Sequence, residues 1–181
     1  GTLTTIQKQG SLYFEQTCFP WFGQATDDLS QLDAAMDKVM WNTLGSPPAP
    51  IGFDPDGLEQ LAAGAKAFRE RTDRAIIGLF GGNLMETGQM IYRMDNFLML
   101  LAMEPDRVHR FLDVLVERHL ANLEKFLSAV GSDIDIVLFG DDLGMQNGPQ
   151  ISPQMYHKFF FPRHRRLWQR AKELADVKVM L

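Results

Sequence analysis

Asp141 and Asp142 stand side by side directly after a short apolar run, Ile134–Phe139, that stops at Gly140. The β-branched residues of that run mark a strand. A loop carrying Gly144, Gly148 and Pro149 then leads to Ser152-Pro153, a favourable helix start. Strand, acidic loop and helix in this order place both carboxylates at the carboxyl end of a strand, where parallel α/β folds meet their ligands. Two adjacent residues on a turn cannot share a face, so the two carboxylates take different roles. One points to the mouth and accepts a hydrogen bond from a substrate, a cofactor or a metal-bound ligand; the other holds the loop or caps a helix. Turn chemistry alone also accounts for an Asp-Asp pair, and both readings stay open.

Other residues join this candidate site on the same grounds. Gly81-Gly82 ends an earlier apolar run, Ala75–Phe80, and permits either a close backbone approach to a ligand or a tight turn. Glu86 follows and reaches the same mouth, or is a solvated first-turn glutamate favoured by the helix dipole. Gln146 orients a polar substrate group or stays in water. Tyr156, on the helix after the acidic loop, aims its hydroxyl at the cleft or packs with Phe159 and Phe160. His119 falls on an apolar stripe and reads as a core histidine, whereas His109, His157 and His164 read as surface or helix-packing residues. Arg163, Arg165 and Arg166 form a basic cluster, either a solvated helix face or a partner for ligand carboxylates.

The elements that position these residues alternate. The first 53 residues are irregular, with short strands at Thr2–Ile6 and Ser11–Phe14, a helix over Asp28–Val39, and a connector at Gly45–Pro50 that proline keeps out of helix and central strand. From residue 54 onward the pattern is regular. A helix begins at Asp56, read as its cap with Glu59 as capping-box partner, and carries Leu58, Leu61, Ala62, Ala65 and Phe68 on one face. A helix near Asn83, a second over Asn96–Met103 capped by Asp95, and a long one from Pro105 to Gly131 separate the first two strands. Pro153–Phe160 and Arg163–Leu174 form a helix or a pair broken at Pro162, and Val177–Leu181 starts a third strand. Apolar strands separated by helices imply an α/β fold with a parallel sheet, covered on both faces. Three such units do not close a (β/α)8 barrel, which needs eight strands and about 250 residues. The expectation is a segment of a longer protein, with residues 1–53 as an irregular N-terminal region and 54–181 as part of the barrel.

Composition narrows the class. The chain has 181 residues, 45% of them apolar and 23% charged, and a formal charge of −5. That balance suits a globular protein and gives no general attraction to nucleic acid or an anionic membrane. Cys18 is the only cysteine, so no internal disulfide forms, which fits a reducing, cytoplasmic setting. The longest apolar run, Phe97–Met103, falls far short of the roughly 20 residues that span a bilayer.

The run Phe139–Leu167, with its Asp-Asp-Leu-Gly-x-Gln…Ser-Pro…Tyr…Pro spacing, resembles the uroporphyrinogen decarboxylase superfamily. Gly78–Met90 resembles the loop after an earlier barrel strand of that family, and Met103–Leu120 the helix preceding the acidic loop; the likeness extends over roughly residues 50–181. It implies part of a TIM barrel and two enzyme classes. Cobamide-dependent methyltransferases of the superfamily carry a zinc-binding His-x-Cys directly after the strand that Val177–Leu181 resembles, and a further cysteine near the chain end. Those ligands are absent here, so no metal site is assigned within the segment. In the decarboxylases a tyrosine stands where Gln89 falls and a serine where Asp141 stands, so the acidic loop is more similar to the methyltransferase members. The resemblance thus implies a segment of an enzyme for cobamide-linked methyl transfer to a thiol or similar acceptor. Zinc and a corrinoid belong to the parent, with zinc ligands beyond residue 181, and a corrinoid protein is an expected partner. The alternative is uroporphyrinogen III decarboxylation in tetrapyrrole synthesis, which needs no cofactor. A third reading is a binding module or inactive fragment, and the isolated chain is expected to be inactive. The basic cluster would then meet porphyrin or corrinoid carboxylates, and exposed sheet edges favour homo-oligomers.

Overall fold

The computed structural model describes residues 3–25, 27–39 and 55–181. In the N-terminal segment, β1 (Thr5–Ile6) pairs antiparallel with β2 (Glu15–Gln16). The second strand therefore lies after Ser11–Phe14 rather than on it. The Ser11 hydroxyl donates to the Tyr13 carbonyl and accepts from its amide, a local turn that takes this stretch out of the ladder. The helix expected over 28–39 is a 3-10 turn, Leu29–Gln31, capped by Asp28 and running into a short α1 (Leu32–Met36). The connector Gly45–Pro50 lies outside the described residues.

α2 (Pro55–Arg69) already includes Asp56 in its first turn, so Asp56 is not its cap. Its apolar stripe is only half covered and Phe68 is exposed. β3 (Ile77–Gly81) leads to α3 (Met85–Tyr92) and α4 (Met94–Met103). α4 starts two residues earlier than expected, because Arg93 breaks the chain with a left-handed φ of 71° and the helix resumes at once. Asp95 sits in its first turn, paired with Arg93 at 2.6 Å instead of capping. α5 (Pro105–Val130) has Pro105 at its start and an unbroken buried stripe of Val108, Phe111, Leu112, Leu115, His119, Leu123, Phe126 and Val130. Gly131 ends it in ordinary right-handed geometry.

β4 (Ile136–Phe139) follows, then a small hairpin inside the acidic loop, β5 (Gly144–Met145) with β6 (Gly148–Pro149). α6 (Pro153–Phe159) and α7 (Phe161–Leu174) form a broken pair, with the break at Phe160 and Pro162 in the first turn of α7. Ser152 caps α6, its hydroxyl accepting from the Met155 amide. β7 (Lys178–Met180) is the third strand of the sheet.

The sheet is parallel, in the order β3-β4-β7, with Ile77 beside Ile136 beside Lys178 and Leu79 beside Leu138 beside Met180. Strands added in one direction through right-handed crossovers put their helices on a single face. That face is sealed: Phe80, Val137 and Phe139 are buried, and the Phe80 ring meets Phe126 of α5 and Phe139. The expected cover on both faces is not observed among the described residues; Ile77, Leu79 and Met180 on the opposite face stay about half exposed. This one-sided α/β arrangement is compatible with part of a (β/α)8 barrel and not with a doubly wound sheet.

The N-terminal segment docks on the helix layer. The Trp21 amide donates to Ile91 O, and the Trp21 ring packs against Tyr92 and Phe111. Arg107 of α5 and Asp27 form an ion pair at 2.5 Å in which both side chains are buried.

Candidate functional site

The carboxyl ends of β3 and β4 are fused by backbone contact. The Gly140 amide donates to the Gly81 carbonyl at 2.8 Å. Gly81 and Gly82 both take left-handed φ values, 81° and 67°, which glycine adopts without steric cost. The diglycine is thus a turn that throws the chain over the strand end and starts α3 above it. Gly140 has no side chain because the Asn83 amide occupies that space; a Cβ there would collide with it.

Asp141 is the holding carboxylate of the pair. Its side chain is fully buried and reaches the start of α3, 55 to 57 positions earlier. Oδ2 accepts from the Leu84 amide, Oδ1 from the Glu86 amide, and both share the Met85 amide, at 3.0–3.1 Å. α3 has no side-chain cap of its own, since Leu84 occupies the cap position. Asp141 supplies it from another βα unit, meeting orphan N–H groups and the positive end of the dipole. Its remaining acceptor capacity goes to His164 Nε2 at 3.0 Å. With its oxygens engaged by these donors Asp141 takes the capping role expected of one of the two aspartates and acts through α3.

Glu86 lies beside this cap, half-buried. It is bonded by the Asn83 side-chain amide and by the Asp142 backbone amide. Burial pushes its carboxyl above the ordinary glutamate range, and the Asp141 charge pushes the same way; the two hydrogen bonds oppose them. Asn83 is held in turn by His119, whose Nε2 lies 3.1 Å from the Asn83 carbonyl oxygen. His119 is fully buried, and burial drives its imidazole down to about 4, so the ring is neutral at pH 7 and donates through Nε2. Its Nδ1 has no partner among the described residues.

Asp142 faces the other way. It is exposed, accepts from the Gly144 amide at 3.1 Å, and lines an open groove with Met94, Gly144, Met145, Gln146 and Gln150. Gln146 sits at the tip of the hairpin. Gln150 ties the groove together: its Nε2 donates to Asp142 O at 2.8 Å, and its Oε1 accepts from Gln89 Nε2 of α3 at 2.8 Å.

Gly81, Gly82, Glu86 and Asp141 thus converge on the first turn of α3, with Asp142 and Gln146 on the adjoining groove. Tyr156 stands behind them. Its hydroxyl bonds to His164 Nδ1 at 3.3 Å, and its ring neighbours are His157, Phe161 and His164, not the expected Phe159 and Phe160. His164 itself is 1% exposed and stacks on Trp168 with an interplanar angle of 17°, so it is not a surface residue. The signal for it is in the sequence: Phe160, His164, Leu167 and Ala171 fall at helical spacing and all are buried. Arg163 also leaves the expected solvated face, buried against Asp113 at 2.5 Å and the Phe159 carbonyl at 2.6 Å. Asn83, Gln89 and Gln150 carried no local signal of their roles.

Among the described residues no cluster of three or more His, Cys, Asp or Glu is placed to hold a metal ion, so these residues do not fit a zinc site. None of their helices is long and apolar enough to cross a membrane.

Comparison with known proteins agrees with this architecture. The family model for uroporphyrinogen decarboxylase (URO-D) matches residues 46–181. A solved structure, a methyltransferase from Methanosarcina mazei, superposes with a TM-score of 0.50 at 14% identity, over 71% of this chain and 38% of its own length. The chain therefore spans less than half of that protein, and the likeness concerns the fold. No curated protein matches by sequence. A family match over three quarters of the sequence, ending on the parallel strands that carry Glu86 and the paired aspartates to one rim, makes this chain a member of the uroporphyrinogen decarboxylase family.

Proposed function

We propose that this chain supplies part of the substrate rim of a uroporphyrinogen decarboxylase-like enzyme that transfers a methyl group from a cobamide to a thiol or similar small acceptor. One observation carries the preference over decarboxylation. Among the described residues the groove at the strand ends is lined by a carboxylate, two amides and two thioethers, with no lysine or arginine. The nearest arginine in sequence, Arg93, is paired with Asp95. A polycarboxylate such as uroporphyrinogen needs cations to replace its hydration, whereas this lining repels it. A neutral or cationic polar acceptor suits it.

Within that reading Asp142 and Gln146 orient the acceptor's polar group. Glu86, held in a setting that favours its protonated form, takes up or returns a proton beside it. The zinc that such chemistry uses does not fit the described residues, so its ligands are assigned to sequence outside them and no step is routed through it. A corrinoid protein is the proposed partner and the cytoplasm the proposed setting. The test uses the full-length parent protein with methylcobalamin and a thiol, and separately with uroporphyrinogen III. Thiol methylation without coproporphyrinogen supports the proposal; coproporphyrinogen without methylation overturns it in favour of decarboxylation. The isolated chain turns over neither.

A further inference from the structure

Behind the rim runs a hydrogen-bonded series that the proposed chemistry leaves unused. It crosses three elements: Tyr156 on α6, His164 on α7, and Asp141 at the end of β4, which holds the first turn of α3. The series is sheltered. His164 is 1% exposed and Asp141 not at all, and the imidazole is clamped between the Trp168 ring on one side and the tilted rings of Tyr156 and Phe160.

The chemistry of the two ring nitrogens fixes its polarity. A carboxylate only accepts, so His164 Nε2 must carry the proton facing Asp141 Oδ2. In the neutral ring Nδ1 is then an acceptor, and the Tyr156 hydroxyl, which can donate, sits opposite it at 3.3 Å. The alternative tautomer, with its proton on Nδ1, would turn the Nε2 lone pair on the buried carboxylate, so Asp141 itself fixes the tautomer and the Tyr156 hydroxyl holds the ring at its other nitrogen.

We propose that Tyr156 and His164 are positioning residues of the rim: Tyr156 anchors the His164 ring at Nδ1 so that Nε2–H stays aimed at Asp141, His164 completes the hydrogen bonding of Asp141, and Asp141 thereby fixes the orientation and electrostatic setting of Glu86. The assignment rests on reading the strand-end rim as the active site. The groups that face Glu86 are few. Asp141 and Asp142 lie on the β4 side, Asn83 lies one turn earlier, and His119 of α5 reaches it through Asn83 as a neutral ring. Asp141 is thus the largest charge acting on the Glu86 carboxyl, and how well that charge is compensated is what His164 controls. Removal of the His164 donor leaves three backbone amides on Asp141, enough to keep it ionised, and exposes Glu86 to more of its charge.

The test uses the full-length protein with 15N-labelled histidine and 13C-labelled glutamate, Glu86 being assigned by Glu86→Gln. In the unaltered protein His164 shows the nitrogen shifts of the Nε2–H tautomer. Tyr156→Phe removes one oxygen with almost no change of shape. We expect it to leave the Nε2–H tautomer in place, to shift the Nε2–H proton resonance as the bond to Asp141 weakens on a ring that has lost its anchor, and to raise the Glu86 titration midpoint by roughly half a pH unit. His164→Gln, whose amide N–H can replace Nε2–H, returns the midpoint to the unaltered value, and His164→Leu raises it at least as far as Tyr156→Phe. An Nε2–H resonance and a Glu86 midpoint that are both unmoved by Tyr156→Phe, or a midpoint that falls, overturn the proposal; that variant decides alone should His164→Leu fail to fold. These readouts need no substrate. A protein that shows the coupling yet transfers no methyl group loses the functional reading and keeps the relay.

Discussion

Asp141→Ala is the sharpest perturbation the structure offers. The substitution strips the acceptor from three backbone amides at the start of α3 and from His164 Nε2. A hydrogen bond to a charged group contributes about 1.5–3 kcal/mol, so a naive sum over four donors would exceed about 6 kcal/mol. That sum is too large, because the Met85 amide is shared between both oxygens and water can enter the space left behind. Loss of a helix cap costs about 0.5–2 kcal/mol, and loss of one member of a buried charged network about 3–5 kcal/mol. A cost of about 3–5 kcal/mol therefore follows for a carboxylate with no exposure at all. With a urea dependence of about 2 kcal/mol per molar, the unfolding midpoint falls by about 1.5–2.5 M. Far-UV circular dichroism during urea unfolding measures it, with Asp142→Ala as the control, expected to lie within about 0.5 kcal/mol of the unaltered protein. A loss below about 1 kcal/mol for Asp141→Ala, or equal losses for the two aspartates, refutes the assignment of Asp141 as the cap of α3.

Other perturbations address the supports of the rim. In Gly88→Ala the new methyl group is driven into the Phe97 ring, which packs α3 against α4; overpacking of this kind costs about 1–3 kcal/mol and appears as a lowered melting temperature. Asp27→Ala removes the buried carboxylate that meets Arg107 at 2.5 Å and leaves the guanidinium the half-exposed Glu104 at 3.3 Å and the Gln24 carbonyl, so the loss falls below the roughly 3–5 kcal/mol of a fully unpaired buried charge, at about 2–3 kcal/mol, and it also frees the N-terminal segment to proteases. The pH dependence of Glu86 has a definite sign. Its folded proton affinity exceeds the ordinary value of 4.5, so its ionisation opposes folding. The penalty is absent below 4.5 and complete above the raised folded value. Glu86→Gln therefore melts higher than the unaltered protein at mildly alkaline pH, and the gain fades as the pH drops toward about 4; a constant difference across that range contradicts the assignment.

The parts of this site that the sequence announces are those fixed by local rules. Apolar runs closed by Gly81-Gly82 and by Gly140 mark strand ends, and helices between them force parallel strands, so the diglycine and the paired aspartates arrive on one rim. The hairpin in the acidic loop turns at Gln146-Asn147 with Gly148 already in the ladder, so the Asn147-Gly148 pair does not mark its turn, and the glycines and proline around it are equally the composition of an irregular loop. His164 was hidden by its neighbours. Arg163, Arg165 and Arg166 give the segment a solvated character, although His164 and Arg163 both turn inward. The role of Asp141 had no local signature, because its partners lie 55 to 57 residues away and the helix it caps begins with a leucine. The one-sided cover of the sheet follows from strand order, which no pattern within a single element contains.

The face-to-face stack of Trp168 on His164, 5.3 Å between ring centres, has an optical consequence. An imidazole held against an indole perturbs the emission of the indole, and a change in their contact changes it. Light emitted from α7 therefore gauges the seating of the ring that holds Asp141. Once Trp21 and Trp41 are replaced by phenylalanine, an ordinary fluorimeter can follow that ring in real time, in solution and without isotopes.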